Sequence, residues 1–299
     1  MPGSSNSTAV DLSRLPPPNV VELLSYEQIL AALVADVQAA IPGFDATIES
    51  EPVVKLLQVF AYRELLVRGE FNDRARSVMV AFAAGADLDQ LAALVGVTRL
   101  ELTPADPITG TAAVMEDDVS LRVRIVLAPE SFSVAGPELA YVFHARSADA
   151  DVLDASATSP APGEVVVTVL SRLGNGEASA ELLGAVEAVV NSSEVRPLTD
   201  LVTVQSVDVV EFTIDAKLYI YQGPDSSVVM AAAEESLQAY LGAGQRLGHD
   251  VTLSGLYAAL HVPGVQRVDL ETPAANLVIG PTQAPWCTSI SLTSGGVGE

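Results

Sequence analysis

The sequence predicts an α+β protein: a helical N-terminal half with one long bundle helix, followed by ferredoxin-like α+β units with mainly antiparallel sheet. Three observations predict it. Apolar residues recur every three to four positions through the first half, the period of a helix face. Beyond about residue 150 the runs EVVVTVL, LVTVQS and VEFTIDAKLYIY replace that period with β-branched or alternating patterns typical of strands. Helical patterns separate these runs in the order strand, helix, helix, strand, which favours mixed units over segregated layers.

Composition narrows the classes. The chain has 299 residues, 49% of them hydrophobic, enough for two or three compact units with a substantial core. No apolar run reaches the roughly 18 to 20 residues that cross a bilayer, and MPGSSNSTAVDLSRLPPPN lacks the charged start and apolar centre of a signal peptide. A soluble, non-secreted protein is expected. Cys287 stands alone, so neither an intrachain disulfide nor a cysteine-based zinc site can form, and a reducing compartment fits. Fifteen basic against 38 acidic residues give a net charge of -23, which repels nucleic acid and anionic lipid alike. The basic residues nevertheless concentrate early, with Lys55, Arg63, Arg68, Arg74 and Arg76 close together. That stretch calls for positive charge.

The elements follow in order. Residues 1–20, with Pro16 to Pro18, form an extended arm. Residues 21–102 form a helical core-bundle region. Its first helix runs from Tyr26 to Ala40 with Ile29, Leu33, Val37 and Ala40 on one stripe, and Pro42-Gly43 stops it. The second is the longest, from a Ser50 cap with Pro52 in its first turn to about Ala84, where Gly85 ends it. At about 1.5 Å per residue it spans about 50 Å. One 4-3 seam along it reads Val53, Leu57, Phe60, Glu64, Val67, Phe71, Arg74 and Val78, continuing to Ala81, the spacing of a rod that packs on other helices. The seam also fits a core helix of a single chain, with its two charges at the stripe's edge. Gly69 marks a kink or a close crossing. A short helix, Leu88 to Val95, follows.

Residues 103–150 form a helical middle region after the break TPADPITG, with helices at Asp118 to Leu127 and Gly136 to Ser147. Residues 151–208 form a first α+β unit, with strands EVVVTVL and LVTVQS flanking a helix from Ser179 to about Asn191. Residues 209–299 form a second. Its strand buries Phe212, Ile214, Ala216, Leu218 and Ile220 and wets Glu211, Thr213, Asp215 and Lys217. Asp225 caps a helix through Val229, Ala233, Leu237 and Leu241, and Thr252 caps another ending at His261, before strand VQRVDLE.

The three histidines decide whether catalysis or metal binding is encoded. His249 and His261 lie at opposite ends of a helix of about nine residues, on the order of 13 Å apart or more, too distant to share a metal. His144, with Asp149 or Asp151, gives the rival reading of a hydrolase, but a triad needs a nucleophile and no Gly-x-Ser-x-Gly elbow occurs. Leu173-Gly174-Asn175-Gly176 lacks the Lys-Ser/Thr of a P-loop and the spacing of a dinucleotide motif, so it is a turn. Glu116-Asp117-Asp118 lacks calcium-loop spacing and starts a helix. No catalytic residue, cofactor or metal is expected.

Several stretches, in order, resemble one family: LSRLPPPNVVELLSYEQIL, EPVVKLLQVFAYRELLVRGEFNDRARSVMVAFAAGADLDQLAALVGVTRL, AGPELAYVFHARSAD, SPAPGEVVVTVLSR, VRPLTDLVTVQ, DVTLSGLYAALHVPGVQRVDL and LVIGPTQAPWCTSI. From about Asp11 to Leu292 the chain is similar to the baseplate assembly protein J family of contractile-tailed phages and related injection systems. The resemblance implies a structural wedge subunit. Two copies would join a related baseplate protein I-like subunit through a helical bundle, and six wedges would ring the hub and spike and widen on sheath contraction. It further implies contacts with neighbouring wedges and hub or sheath-initiating proteins, a place in the virion or particle tail baseplate, and assembly in the host bacterial cytoplasm. The bundle role falls to Glu51 to Ala84, and Glu64 and Arg74 are the candidates for partner selection.

Overall fold

A computed structural model describes residues 12, 15–45, 51–133, 135–223 and 225–297. The Ser50 cap and most of the extended arm lie outside these residues. The described residues divide into two compact units, one within Val10–Thr98 and one from Arg99 onward.

In the first unit, α1 (Tyr26–Ala40) starts at a capping box in which Gln28 N–H donates to Ser25 Oγ and Ser25 N–H donates to Gln28 Oε1. Pro42 and Gly43, the latter at φ 97°, then turn the chain. The long helix α2 (Pro52–Ser77) opens with proline at its first turn. It ends at Ser77 rather than near Ala84, which corrects the sequence expectation. The cause is local: the Ser77 hydroxyl bonds the Arg74 carbonyl at 2.9 Å, and the β-branched Val78 and Val80 follow. Its 26 residues span about 39 Å. α3 (Gly85–Ala93) closes this unit.

The second unit begins with a hairpin of β1 (Glu101–Thr103) and β2 (Val114–Met115). Asp117 caps α4 (Asp118–Leu127) through the Ser120 N–H, and a 3-10 turn leads on to α5 (Glu138–Ala148). The acidic run starts a helix, as expected, and does more. Glu116 and Arg124, 1% and 6% exposed at the side chain, pair at 2.7 Å, and the same Glu116 oxygen accepts the Leu100 N–H at 3.2 Å. Buried charges persist only when paired in this way.

β3 (Val152–Thr158) pairs antiparallel with β4 (Glu164–Ser171), and β4 pairs parallel with β5 (Leu201–Ser206). The chain between β4 and β5 runs through α6 (Ala180–Val190). Val167 and Val169 of β4, Val186 and Val190 of α6, and Tyr141 of α5 share one buried core. The next sheet has the order β7-β6-β8, with β6 (Asp208–Ile220), β7 (Val265–Thr272) and β8 (Gln283–Val297). α7 (Ser226–Gly244) and α8 (Leu253–Leu260) pack with it. The buried set of β6 is the alternating one read from sequence: Phe212, Ile214, Ala216, Leu218 and Ile220. Three of the five strand pairings are antiparallel, and because β4–β5 and β6–β8 are parallel, both three-stranded sheets are mixed. Between β4 and β5 a helical crossover through α6 returns the chain in its starting direction, so β5 joins parallel. By contrast, α7 and α8 lead to the antiparallel β7, and β8 then follows parallel to β6 on its other side.

Candidate assembly interface

The long helix carries the predicted seam, and its side chains sort into three faces. At about 100° per residue, Val54, Leu57, Ala61 and Asn72 fall in one arc about 60° wide. All four are buried. α1 packs on α2, and the extended segment before α1 occupies the C-terminal part of the same side. Asn72, 1% exposed, accepts from the Val20 and Val21 N–H groups at 2.8 Å each and donates to the Val21 carbonyl at 2.9 Å. One turn either way, Arg68 donates to the Glu22 carbonyl and Arg76 to the Pro18 carbonyl. Arg68, Asn72 and Arg76 therefore read the main chain of a strap running opposite to α2. This accounts for two of the clustered cations.

Val53, Leu56, Phe60, Val67 and Phe71 occupy a second arc, also about 60° wide. Phe60 is 60% exposed, Val67 62% and Phe71 57%. Val78 shares their direction in sequence but lies just past the helix end and is exposed. Val59, Tyr62 and Leu66 form a third exposed arc, about 120° from the second and about 140° from the buried one.

The predicted seam is thus divided. Val53, Phe60, Val67 and Phe71 share the exposed stripe, whereas Leu57 turns inward toward α1. Sequence reasoning missed Leu56, since Leu56 and Leu57 both satisfy three-to-four spacing after Val53. It also missed Asn72, which lies in the mostly charged run RGEFNDRAR and carries no apolar signal of its own. Glu64 pairs with Arg68 at 2.8 Å, and Arg74 approaches Glu70 at 3.8 Å. Both are contacts one turn apart on the surface of one helix. At Gly69 an added Cβ would meet nothing within 4 Å, so no packing inside this unit calls for glycine there.

The residues weighed for catalysis sit apart. His144, half-buried on α5, meets the Phe143 ring edge-on at 5.4 Å, and burial holds its pKa below the usual imidazole range. Asp149 accepts the Asp151 N–H, and Asp151 accepts the Ser171 hydroxyl, both at 2.8 Å, so each aspartate shapes the turns around β3. His261 is the C-cap of α8, one residue beyond the last turn where it was expected, and His249 precedes that helix. Burial pushes the Cys287 thiol up, away from the reactive thiolate. Among the described residues no group of three or more His, Cys, Asp or Glu is placed to hold a metal ion, and no helix is long and apolar enough to cross a membrane.

Comparison with known proteins adds the family. Residues 49–106 match the Baseplate J-like N-terminal domain, 133–206 the Baseplate J-like central domain, and 212–293 the Baseplate J-like protein C-terminal domain. The chain is 50% identical to Baseplate protein J of Escherichia phage P2, over 97% of this chain and 99% of that one. A solved chain from the cryo-EM structure of the anti-feeding prophage baseplate is 17% identical, covering 66% of this chain and 48% of that chain at a TM-score of 0.38. The chain spans about half the length of that one.

Proposed function

The chain belongs to the baseplate J-like family, and from that premise we propose that it is a wedge subunit whose α2 is the rod of a multi-chain bundle. As a member of that family it is a structural component of a phage-type tail baseplate. In the proposal a second copy and a baseplate protein I-like subunit cover α2. The assembled wedges ring the hub and spike, touch neighbouring wedges and sheath-initiating proteins, and rearrange on sheath contraction. Assembly takes place in the host cytoplasm.

One observation carries the reading: two bare apolar faces of α2, about 100° and about 140° from the face that α1 and the strap cover. Three faces on one rod suit two further helices, and Gly69, with open space beside it, allows one of them to approach closely. A helix exposing this much apolar surface marks a protein–protein contact. Glu64 and Arg74 flank the larger stripe and, as charged positions beside a seam, select partner and register.

The test is co-expression with the baseplate protein I-like subunit, followed by size-exclusion with light scattering. The wild type should form a defined mixed complex. Phe60→Glu with Phe71→Glu should leave a folded chain that no longer enters it. Glu64→Leu with Arg74→Leu should change which complexes form, and assembly identical to wild type would remove the selector role. The family's structural role and the engagement of Asp149 and Asp151 elsewhere favour a non-enzymatic chain over the hydrolase reading. His144→Ala should therefore leave particle assembly and infectivity intact.

A further inference from the structure

We propose that the outer edge of β8 docks one extended strand of a different, non-acidic polypeptide of the particle, joined by main-chain hydrogen bonds. The baseplate reading supplies the setting in which that partner is met, and the C-terminal sheet supplies the chemistry. β6 is the central strand, and β8 pairs with it from Asp208↔Gln283 to Ile220↔Val297. At 15 residues β8 is far longer than the usual strand of about five or six. Among the described residues its other side pairs with no strand. Successive residues point their N–H and C=O groups to alternate sides, so half of the β8 main chain faces outward.

The two edges of this sheet differ in how they are guarded. On β7, Arg267, Asp269 and Glu271 stand at alternate positions, Arg267 pairs with Asp269 at 3.1 Å and lies over the Tyr219 ring at 4.0 Å, and Pro273 follows the strand. Charges and proline are what keep a further strand off an edge. β8 has neither device after Pro285. From Thr272 to Gly298 the chain carries no charged residue, although its net charge is -23. Thr288, Ser289, Ser291, Thr293 and Ser294 are exposed along it, and hydroxyl side chains pair readily across strands. Such an edge invites aggregation in a free protein and serves as a template in an assembled one. The guard on β7 limits this sheet to one added strand. On α2 apolar burial offsets the repulsion between two copies of net charge -23, but the hydroxyl-lined β8 edge has no such offset, so a neutral or cationic segment fits it better than a second copy.

The experiment compares amide hydrogen exchange over residues 288–296 in the purified chain and in the chain within purified particles. Alternate amides of this stretch should slow roughly tenfold or more on incorporation, while those of β7 stay as they were. Equal exchange in both states overturns the proposal. Protection that grows with concentration in the purified chain alone assigns the edge to a second copy and also overturns it. Ser291→Lys with Thr293→Lys places charge on exposed side chains, so the melting temperature should hold while incorporation falls roughly tenfold. Wild-type incorporation of that variant overturns the proposal. Absence of the wild-type chain from particles would overturn the baseplate reading as well, whereas presence without protection sinks the edge proposal alone.

Discussion

The helices α2 and α7 draw on the same apolar residue types and end up in opposite situations. α7 buries Val229, Ala233 and Leu237 at four-residue spacing against β6 and α8, and Val228 is its only exposed large apolar side chain among the described residues. α2 is longer and buries only Val54, Leu57, Ala61 and Asn72, leaving eight large apolar side chains exposed, from Val53 to Phe71. A fully buried leucine or phenylalanine contributes about 1.5 to 3 kcal/mol relative to an exposed one. The C-terminal module realises that gain within one chain. On α2 it is left available to whatever covers the helix, so the difference separates folding surface from assembly surface.

The strongest way to break this contrast is a matched pair of truncations. Leu237→Ala should destabilise the isolated chain by about 2 to 5 kcal/mol, because a fully buried side chain leaves a cavity. Phe71→Ala should stay within about 0.5 kcal/mol, because its ring is already in water. Urea unfolding of the two variants measures both. Comparable losses would mean that α2 is packed in the free chain, and the distinction would collapse.

A second test sits where α2 does use its own chain. Asn72 makes three hydrogen bonds to the strap from a buried position, and Asn72→Ala leaves the Val20 and Val21 N–H groups without that partner. The loss should be about 1 to 3 kcal/mol, together with faster proteolysis between residues 15 and 25. An unchanged cleavage rate would mean that the strap does not depend on this side chain. Arg68 and Arg76 hold strap carbonyls on either side, so their substitutions should add smaller increments in the same direction.

The α+β class, the alternation of β6 and the caps at Asp225 and Thr252 were legible because each depends on residues within a few positions of one another. β3 and β8 were not. Val152–Thr158 mixes Asp, Ser and Thr with small residues, and Gln283–Val297 is rich in Ser, Thr and Gly, so neither has the β-branched density that marks a strand. Both are strands because β4 and β6 offer them partners. The seam was half legible for a related reason. Periodicity gives the apolar positions of a helix but not which arc meets its own chain, and only the placement of α1 and the strap separates Leu57 from Leu56.

Smaller effects come from the charges. The Glu64–Arg68 and Glu70–Arg74 pairs are one-turn contacts at the surface, so Glu64→Leu with Arg74→Leu should change the isolated chain's stability by less than about 1 kcal/mol. A larger loss would place these side chains in the fold of the free unit rather than at its contact face.

The smallest expected effect belongs to His144, on the inward-packed side of the contrast. Burial lowers its pKa in the folded chain, whereas in the unfolded chain it titrates near its ordinary value of about 6.5. Between those two values the unfolded state binds more protons, so stability rises with pH there. The contribution is complete above about 6.5, declines as pH falls from that point, and levels off below the folded pKa. His144→Gln removes this proton linkage and leaves intact the losses that carboxylates cause at lower pH. Urea midpoints of wild type and variant between about pH 7.5 and 5.5 should therefore diverge, with the wild type falling further. Parallel curves would mean that the ring is as well hydrated in the folded chain as in the unfolded one.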